Sequence, residues 1–169
     1  MNFFIAGLPR SRTSWFASFM SSGDIFCHHE ALNRCKTKEE FYQKMKLHYR
    51  LVGNSDCGLA YTDFQEKYNS PTLIIHRDKH EVLENLIENG ITKDRSVINV
   101  LADLENRLLD LKGLHVPFNE IDLRLPEIYK YLTGELPDEN RVRLFTNMNI
   151  QPIDTTGDEE SLRIWLCRG

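Results

Sequence analysis

Cysteine is sparse and unpatterned in this 169-residue chain: Cys27, Cys35, Cys57 and Cys167 include no C-x-x-C pair and no other zinc-type spacing. That excludes a zinc ribbon and predicts free thiols in a reducing compartment. Adjacent Cys27-His28-His29-Glu30 with Cys35 lacks the distant second ligand pair an ion needs, so no metal is expected. Basic charge is also short. Lys and Arg number 21 against 25 Asp and Glu, a formal net charge of −4 that argues against a nucleic-acid partner but permits one local basic pocket. No apolar run approaches the roughly 20 residues that span a bilayer, so no membrane partner is expected. The apolar N-terminal stretch stops at Pro9 before Arg10, a poor signal peptide, which points to a cytoplasmic chain. Repeats, low-complexity tracts and linkers are missing too. The expectation is one domain over residues 1–169, with no pattern that sets an oligomeric state.

What is present begins with Phe3-Phe4-Ile5-Ala6-Gly7, an apolar run closed by glycine. A polar loop follows, then Trp15, Phe16, Phe19 and Met20 at helical spacing. That order predicts buried strand, tight loop and helix N-terminus, and Trp15 belongs to the helix's core face. Ile25 to Glu30 is a short extended segment; its alternation sends His28 and His29 to opposite faces. Residues 36–51 carry an amphipathic helix whose Thr37 and Glu40 have capping-box spacing. Residues 52–58, Val-Gly-Asn-Ser-Asp-Cys-Gly, are rich in turn formers and predict a break, with Leu59 to Tyr61 a short strand or loop packing. Pro71 to Asp78 forms the second strong strand, with His76 as a core histidine and a helix from Lys79 to Asn89-Gly90. A long helix over 92–112, an edge strand at Leu114 to Phe118, a helix from Leu125-Pro126 and another from Leu136 complete the pattern. The segment 147–169 fits a terminal strand or a docked helix. Apolar strands alternating with helices predict an α/β fold, three layers deep, with a mostly parallel central sheet flanked by helices. Ligands of such sheets sit outside the carboxyl ends of the strands. Both the Gly7 to Thr13 loop and Arg77 fall at such ends.

The loop turns backbone N–H groups and a helix dipole toward one point, and Arg10 and Arg12 add full charge, which suits phosphate or sulfate. It is not a Walker A loop: aligned from Gly7, Arg12 stands at the second glycine and Thr13 at the lysine. With no evident Walker B aspartate, a kinase-like nucleotide-binding enzyme is the weaker alternative. Gly7-Leu8-Pro9-Arg10-Ser11-Arg12-Thr13-Ser14 resembles the 5′-phosphosulfate loop of sulfotransferases, G-x-P-[RK]-S-G-T-[ST]. Leu73 to Val82, an apolar strand followed by Arg77-Asp78 and a helix, resembles that family's second signature. His29-Glu30-Ala31-Leu32 and Phe118-Asn119-Glu120-Ile121-Asp122 are weaker echoes, in the same order.

The resemblance implies a P-loop NTPase-like fold and transfer of a sulfuryl group from 3′-phosphoadenosine 5′-phosphosulfate (PAPS) to a small-molecule or carbohydrate-like acceptor with a hydroxyl or amine. It implies no metal. Leu8, Pro9, Arg10, Ser11, Arg12, Thr13 and Ser14 would hold the sulfuryl end, Arg10 stabilising the leaving phosphate. Arg77 and Asn85, the latter where the family has serine, would hold the 3′-phosphate. Glu30 is the implied general base, with His29 the alternate. Arg12 replaces a glycine, so a different backbone angle is expected there. Lys79 replaces a proline, and the family's C-terminal adenosine loop is missing, so a catalytically degenerate nucleotide- or protein-binding domain is the further alternative.

Overall fold

The computed structural model describes residues 1–148. Their elements run β1 (Asn2–Gly7), α1 (Thr13–Met20), β2 (Ile25–His29), α2 (Lys38–Lys44), β3 (Leu51–Ser55), α3 (Phe64–Tyr68), β4 (Thr72–His76), α4 (Lys79–Glu88), α5 (Val97–Asp110), β5 (Leu114–Pro117), α6 (Ile121–Thr133) and α7 (Glu139–Thr146). The strands form one five-stranded sheet in the order β2-β3-β1-β4-β5. Every pairing is parallel. The strand or helix expected around Leu162 to Leu166 lies outside the described residues.

Central β1 shows why its run is continuously apolar. Phe3 and Ile5 enter one core with α1, α6 and Phe145, while Phe4 and Ala6 enter a second with Phe41, α4 and α5. A strand covered on both faces has no side left for polar residues. The architecture is therefore α/β, a parallel sheet between two helical layers. Among the described residues, no helix is long and apolar enough to cross a membrane.

Several expected boundaries are corrected. Residues 52–55 of the break expected at 52–58 belong to strand β3, seated between β1 and β2 with all five of its residues buried, and the chain leaves the strand only at Asp56. Its turn formers answer to packing: a Cβ on Gly53 would lie 2.2 Å from the Phe3 ring, and only glycine fits. The helix expected over 36–51 is correspondingly short, ending at Lys44, although Thr37 caps it by accepting from the Glu40 N–H as its spacing predicts. Of the two alternatives at Leu59 to Tyr61, loop packing is the one found: Cys57–Tyr61 form a 3-10 turn with Leu59 and Ala60 buried. Helix α5 starts at Val97 rather than 92. Helix α6 begins at Ile121, which places Pro126 inside it instead of near its start.

Strands β1 and β4 are neighbours, yet the helices that follow them, α1 and α4, pack on opposite faces of the sheet. The carboxyl ends of these two strands therefore border a crevice at a topological switch point, the usual ligand position of open α/β sheets.

Candidate functional site

The crevice is built from the loop between β1 and α1. Gly7 keeps it tight: a Cβ there would sit 3.2 Å from the Ile75 Cβ and 3.4 Å from the Ser11 Cβ. Ser11 closes the turn by donating its N–H to the Leu8 carbonyl at 3.2 Å, and its fully buried hydroxyl has no partner among the described residues. Arg10 and Arg12 both take left-handed backbone angles, φ 64° and 63°. Arg12 thus holds a conformation that glycine favours, at a cost of about 1–2 kcal/mol for a side-chain-bearing residue. Leu8 contributes backbone only, because its side chain is buried in the core beside α4 and α5.

Three residues singled out in the sequence meet here. The Arg10 Nε donates to Asn85 Oδ1 at 2.8 Å, and Arg77 donates to the Arg10 carbonyl oxygen. Arg77 lies over the Phe118 ring at 4.3 Å. Among the described residues its buried Nε has no hydrogen-bond partner, and the one carboxylate that pairs with it is the exposed Glu81, 3.7 Å away. Burial first, and the Arg77 charge second, lower the Arg10 pKa. Two guanidinium groups thus share a crevice in which, among the described residues, no buried carboxylate pairs with them. Arg12 behaves differently, donating to both oxygens of Asp122 at 2.5 and 3.2 Å while packing near Trp15 and Phe118. Trp15 belongs to the core, and its indole N–H donates to the Phe145 carbonyl at 3.0 Å.

On the other side of the α1 N-terminus, the end of β2 brings up His29 and Glu30. His29 Nε2 contacts Thr13 Oγ1 at 3.4 Å and the Glu30 carboxylate at 3.6 Å. Glu30 adopts φ 50° and accepts from Asn33 Nδ2 at 3.2 Å. Burial lowers the His29 pKa, the Glu30 charge opposes it, and Arg34 adds a smaller lowering. A neutral imidazole is the form that accepts a proton. His28 turns the other way, its Nε2 3.1 Å from the Lys44 carbonyl. Pro9 and Ser14 border the loop, half-buried.

The chain matches no family model and no curated protein.

Two functional neighbours escaped the sequence. Asp122 pairs with Arg12 from 110 residues away; its only signal was membership of the Phe118 to Asp122 echo. Asp56 follows β3 directly beside β1, but its carboxylate is fully buried and receives N–H groups from Gly58 and Leu32. Among the described residues no group of three or more His, Cys, Asp or Glu side chains could hold a metal. A groove of about 430 Å³ opens between Leu32, Phe41, Tyr61 and Phe64, past the ends of β2 and β3.

Proposed function

We propose that the protein is a small PAPS-dependent sulfotransferase with a P-loop NTPase-like fold. The observation that carries this reading is the convergence of Arg10 and Arg77 in one switch-point crevice, beside the N-terminus of α1, with no buried counter-charge among the described residues. Such a cleft favours a ligand carrying several negative charges. Arg10 and the loop N–H groups hold the 5′-phosphosulfate; Arg77 and the free amide hydrogens of Asn85 hold the 3′-phosphate.

The acceptor is a small molecule or sugar-like hydroxyl or amine. His29 takes the proton of that group as its oxygen or nitrogen attacks sulfur. The bond between sulfur and the bridging phosphate oxygen breaks, and 3′-phosphoadenosine 5′-phosphate leaves with the bonding electrons. Arg10 offsets the charge that develops on the bridging oxygen. His29 is favoured over Glu30 as the acceptor of the proton because it is the one in contact with Thr13 at the helix start. The Glu30 carboxylate then stabilises the imidazolium.

Calorimetry with 3′-phosphoadenosine 5′-phosphate in the absence of magnesium tests the site. Micromolar binding is expected, weakened by roughly 10- to 100-fold in Arg77→Ala, as for loss of a charged hydrogen-bond donor. Arg10→Ala should weaken it comparably. No binding at millimolar nucleotide overturns the proposal. Transfer from labelled PAPS across an acceptor panel should fall by about 10²–10⁴ in His29→Gln, the size of a general-base contribution, with nucleotide affinity retained. Full activity in His29→Gln reassigns the base to Glu30.

A second reading, nucleotide binding without turnover, is favoured by one observation. All three site arginines already have protein partners: Asn85, Asp122 and the Arg10 carbonyl. Tight binding with no transfer to any acceptor selects it.

A further inference from the structure

Beyond the end of β2 the pairing with the end of β3 continues, first through the backbone and then through side chains. Three consecutive amides of one segment are received by three consecutive residues of the other. Glu30 donates its N–H to the Ser55 carbonyl at 3.0 Å. Ala31 donates to Asn54 Oδ1 at 3.1 Å, and Leu32 donates to Asp56 Oδ2 at 3.0 Å. Asn54, Ser55 and Asp56 are all 0% exposed. The Asn54 amide also donates to Asp56 Oδ2 at 3.4 Å, and the Gly58 N–H to Asp56 Oδ1 at 2.9 Å, so the cluster is internally braced.

This ladder has a local consequence. Glu30, at φ 50°, is a strained non-glycine position that persists only where neighbours over-determine it. The amides on either side of its ψ bond, its own and that of Ala31, are both tied down. With its backbone so turned, its carboxylate lies 3.6 Å from His29 Nε2. Capping the 3-10 turn at Cys57 would need only the bond from Gly58; the second Asp56 oxygen is spent on Leu32. Burial pushes the Asp56 pKa up to about 7 against these donors, so the fold keeps a carboxylate here at a cost.

We propose that Asn54 and Asp56 are positioning residues, which hold the Glu30 turn so that its carboxylate stays on His29. This rests on the reading of His29 and Glu30 as the proton-accepting pair. The charged groups that act on His29 are Glu30 and Arg34, and substitution of Asn54 changes neither charge.

The test is the pH titration of the His29 ring by NMR in the full chain, without nucleotide. Glu30→Gln should lower the His29 midpoint, because the carboxylate favours the imidazolium. Asn54→Ala and Asn54→Leu should each lower it in the same direction, by roughly half a unit or more. In the Glu30→Gln background the Asn54 substitutions should add no further shift, since they act through Glu30. An unmoved His29 midpoint in a folded Asn54 variant overturns the proposal, as does a shift that survives without Glu30. Should both Asn54 variants fail to fold, amide hydrogen exchange of the unsubstituted protein decides. Protection of Ala31 and Leu32 comparable to that of β3 supports the ladder, and exchange at open-loop rates overturns it. These readouts do not involve nucleotide: absent binding sinks the sulfotransferase reading alone, and a failed titration with binding intact sinks the positioning role alone.

Discussion

Arg12 shows how one side chain can be both a cost and a contact. Its left-handed backbone angle is disfavoured for any residue with a Cβ, while its pairing with Asp122, with side-chain exposures of 31% and 41%, is screened by solvent and contributes about 0–1 kcal/mol. The two effects nearly cancel. Arg12→Gly is therefore expected to leave stability within about 1 kcal/mol of the unsubstituted protein, whereas Arg12→Ala keeps the strain and loses the pair. In urea melts the glycine variant should exceed the alanine variant by roughly 1 kcal/mol. An alanine variant of equal or greater stability would contradict a role for the backbone angle. The loop pattern already marked this residue, since it stands where the resembling family has glycine. Its partner was hidden, because no local rule links positions 12 and 122.

Among the elements, α1 carries the site and is held at both ends by tertiary contacts. Its C-terminal carbonyls are received by Arg141 of α7, which donates to Phe19 O at 2.8 Å, Ser18 O at 2.7 Å and Ser21 O at 2.8 Å. The guanidinium also lies 4.7 Å from the Phe145 ring centroid. An arginine near a helix C-terminus satisfies orphan carbonyls and opposes the helix dipole. Arg141→Ala should cost about 1.5–3 kcal/mol in chemical denaturation, as for charged hydrogen bonds. Arg141→Lys should recover only part, lacking the planar fork. A loss under 0.5 kcal/mol, within the ordinary range for a surface substitution, would show that the cap is dispensable. Strand β3 is the opposite case to α1 for legibility. Helix α1 announces itself by apolar spacing, whereas β3 contains Gly53, Asn54 and Ser55 and resembles a turn by composition. Its strand state comes from filling the gap between β1 and β2, with Phe3 taking the volume that a larger residue than Gly53 would need.

At the scale of the whole molecule, the pH dependence of stability follows from the buried and half-buried titratable groups. His28, His29 and His76 all have pKa values lowered, chiefly by burial. Their neutral forms thus contribute stability that is present above the unfolded histidine value of about 6.5 and is lost as pH falls through the lower folded values. His76 belongs to a pair, its Nε2 2.7 Å from His115 Nδ1, while His115 Nε2 lies 2.9 Å from the Leu111 carbonyl. A carbonyl only accepts, so His115 donates from Nε2 and His76 donates to His115 Nδ1. Protonating both rings would set two donors against each other. Asp56 works in the opposite sense: with its folded pKa raised to about 7, its stability contribution is full below the unfolded value of about 4 and is lost as pH rises through 7. The two effects oppose each other between pH 7.5 and pH 5, and removing Asp56 separates them: in urea melts Asp56→Asn should lower the midpoint at pH 5, relative to that at pH 7.5, compared with the unsubstituted protein, and an unchanged or opposite difference would contradict the assignment of Asp56.

What the amino-acid order determined by itself was everything that local periodicity and punctuation encode: the β1–loop–α1 unit, β4 with α4, the α/β class and the arginines at two strand ends. Those features rest on patterns of a few neighbouring residues, which steric and solvation rules act on directly. Only the tertiary structure decided that β3 is a strand, that Arg10, Arg77 and Asn85 share one crevice, that Arg12 is bound by Asp122, and that Asp56 lies under the Glu30 turn. Each depends on residues tens of positions apart meeting at one sheet edge. Packing, and not the propensity of the residues involved, settles such encounters.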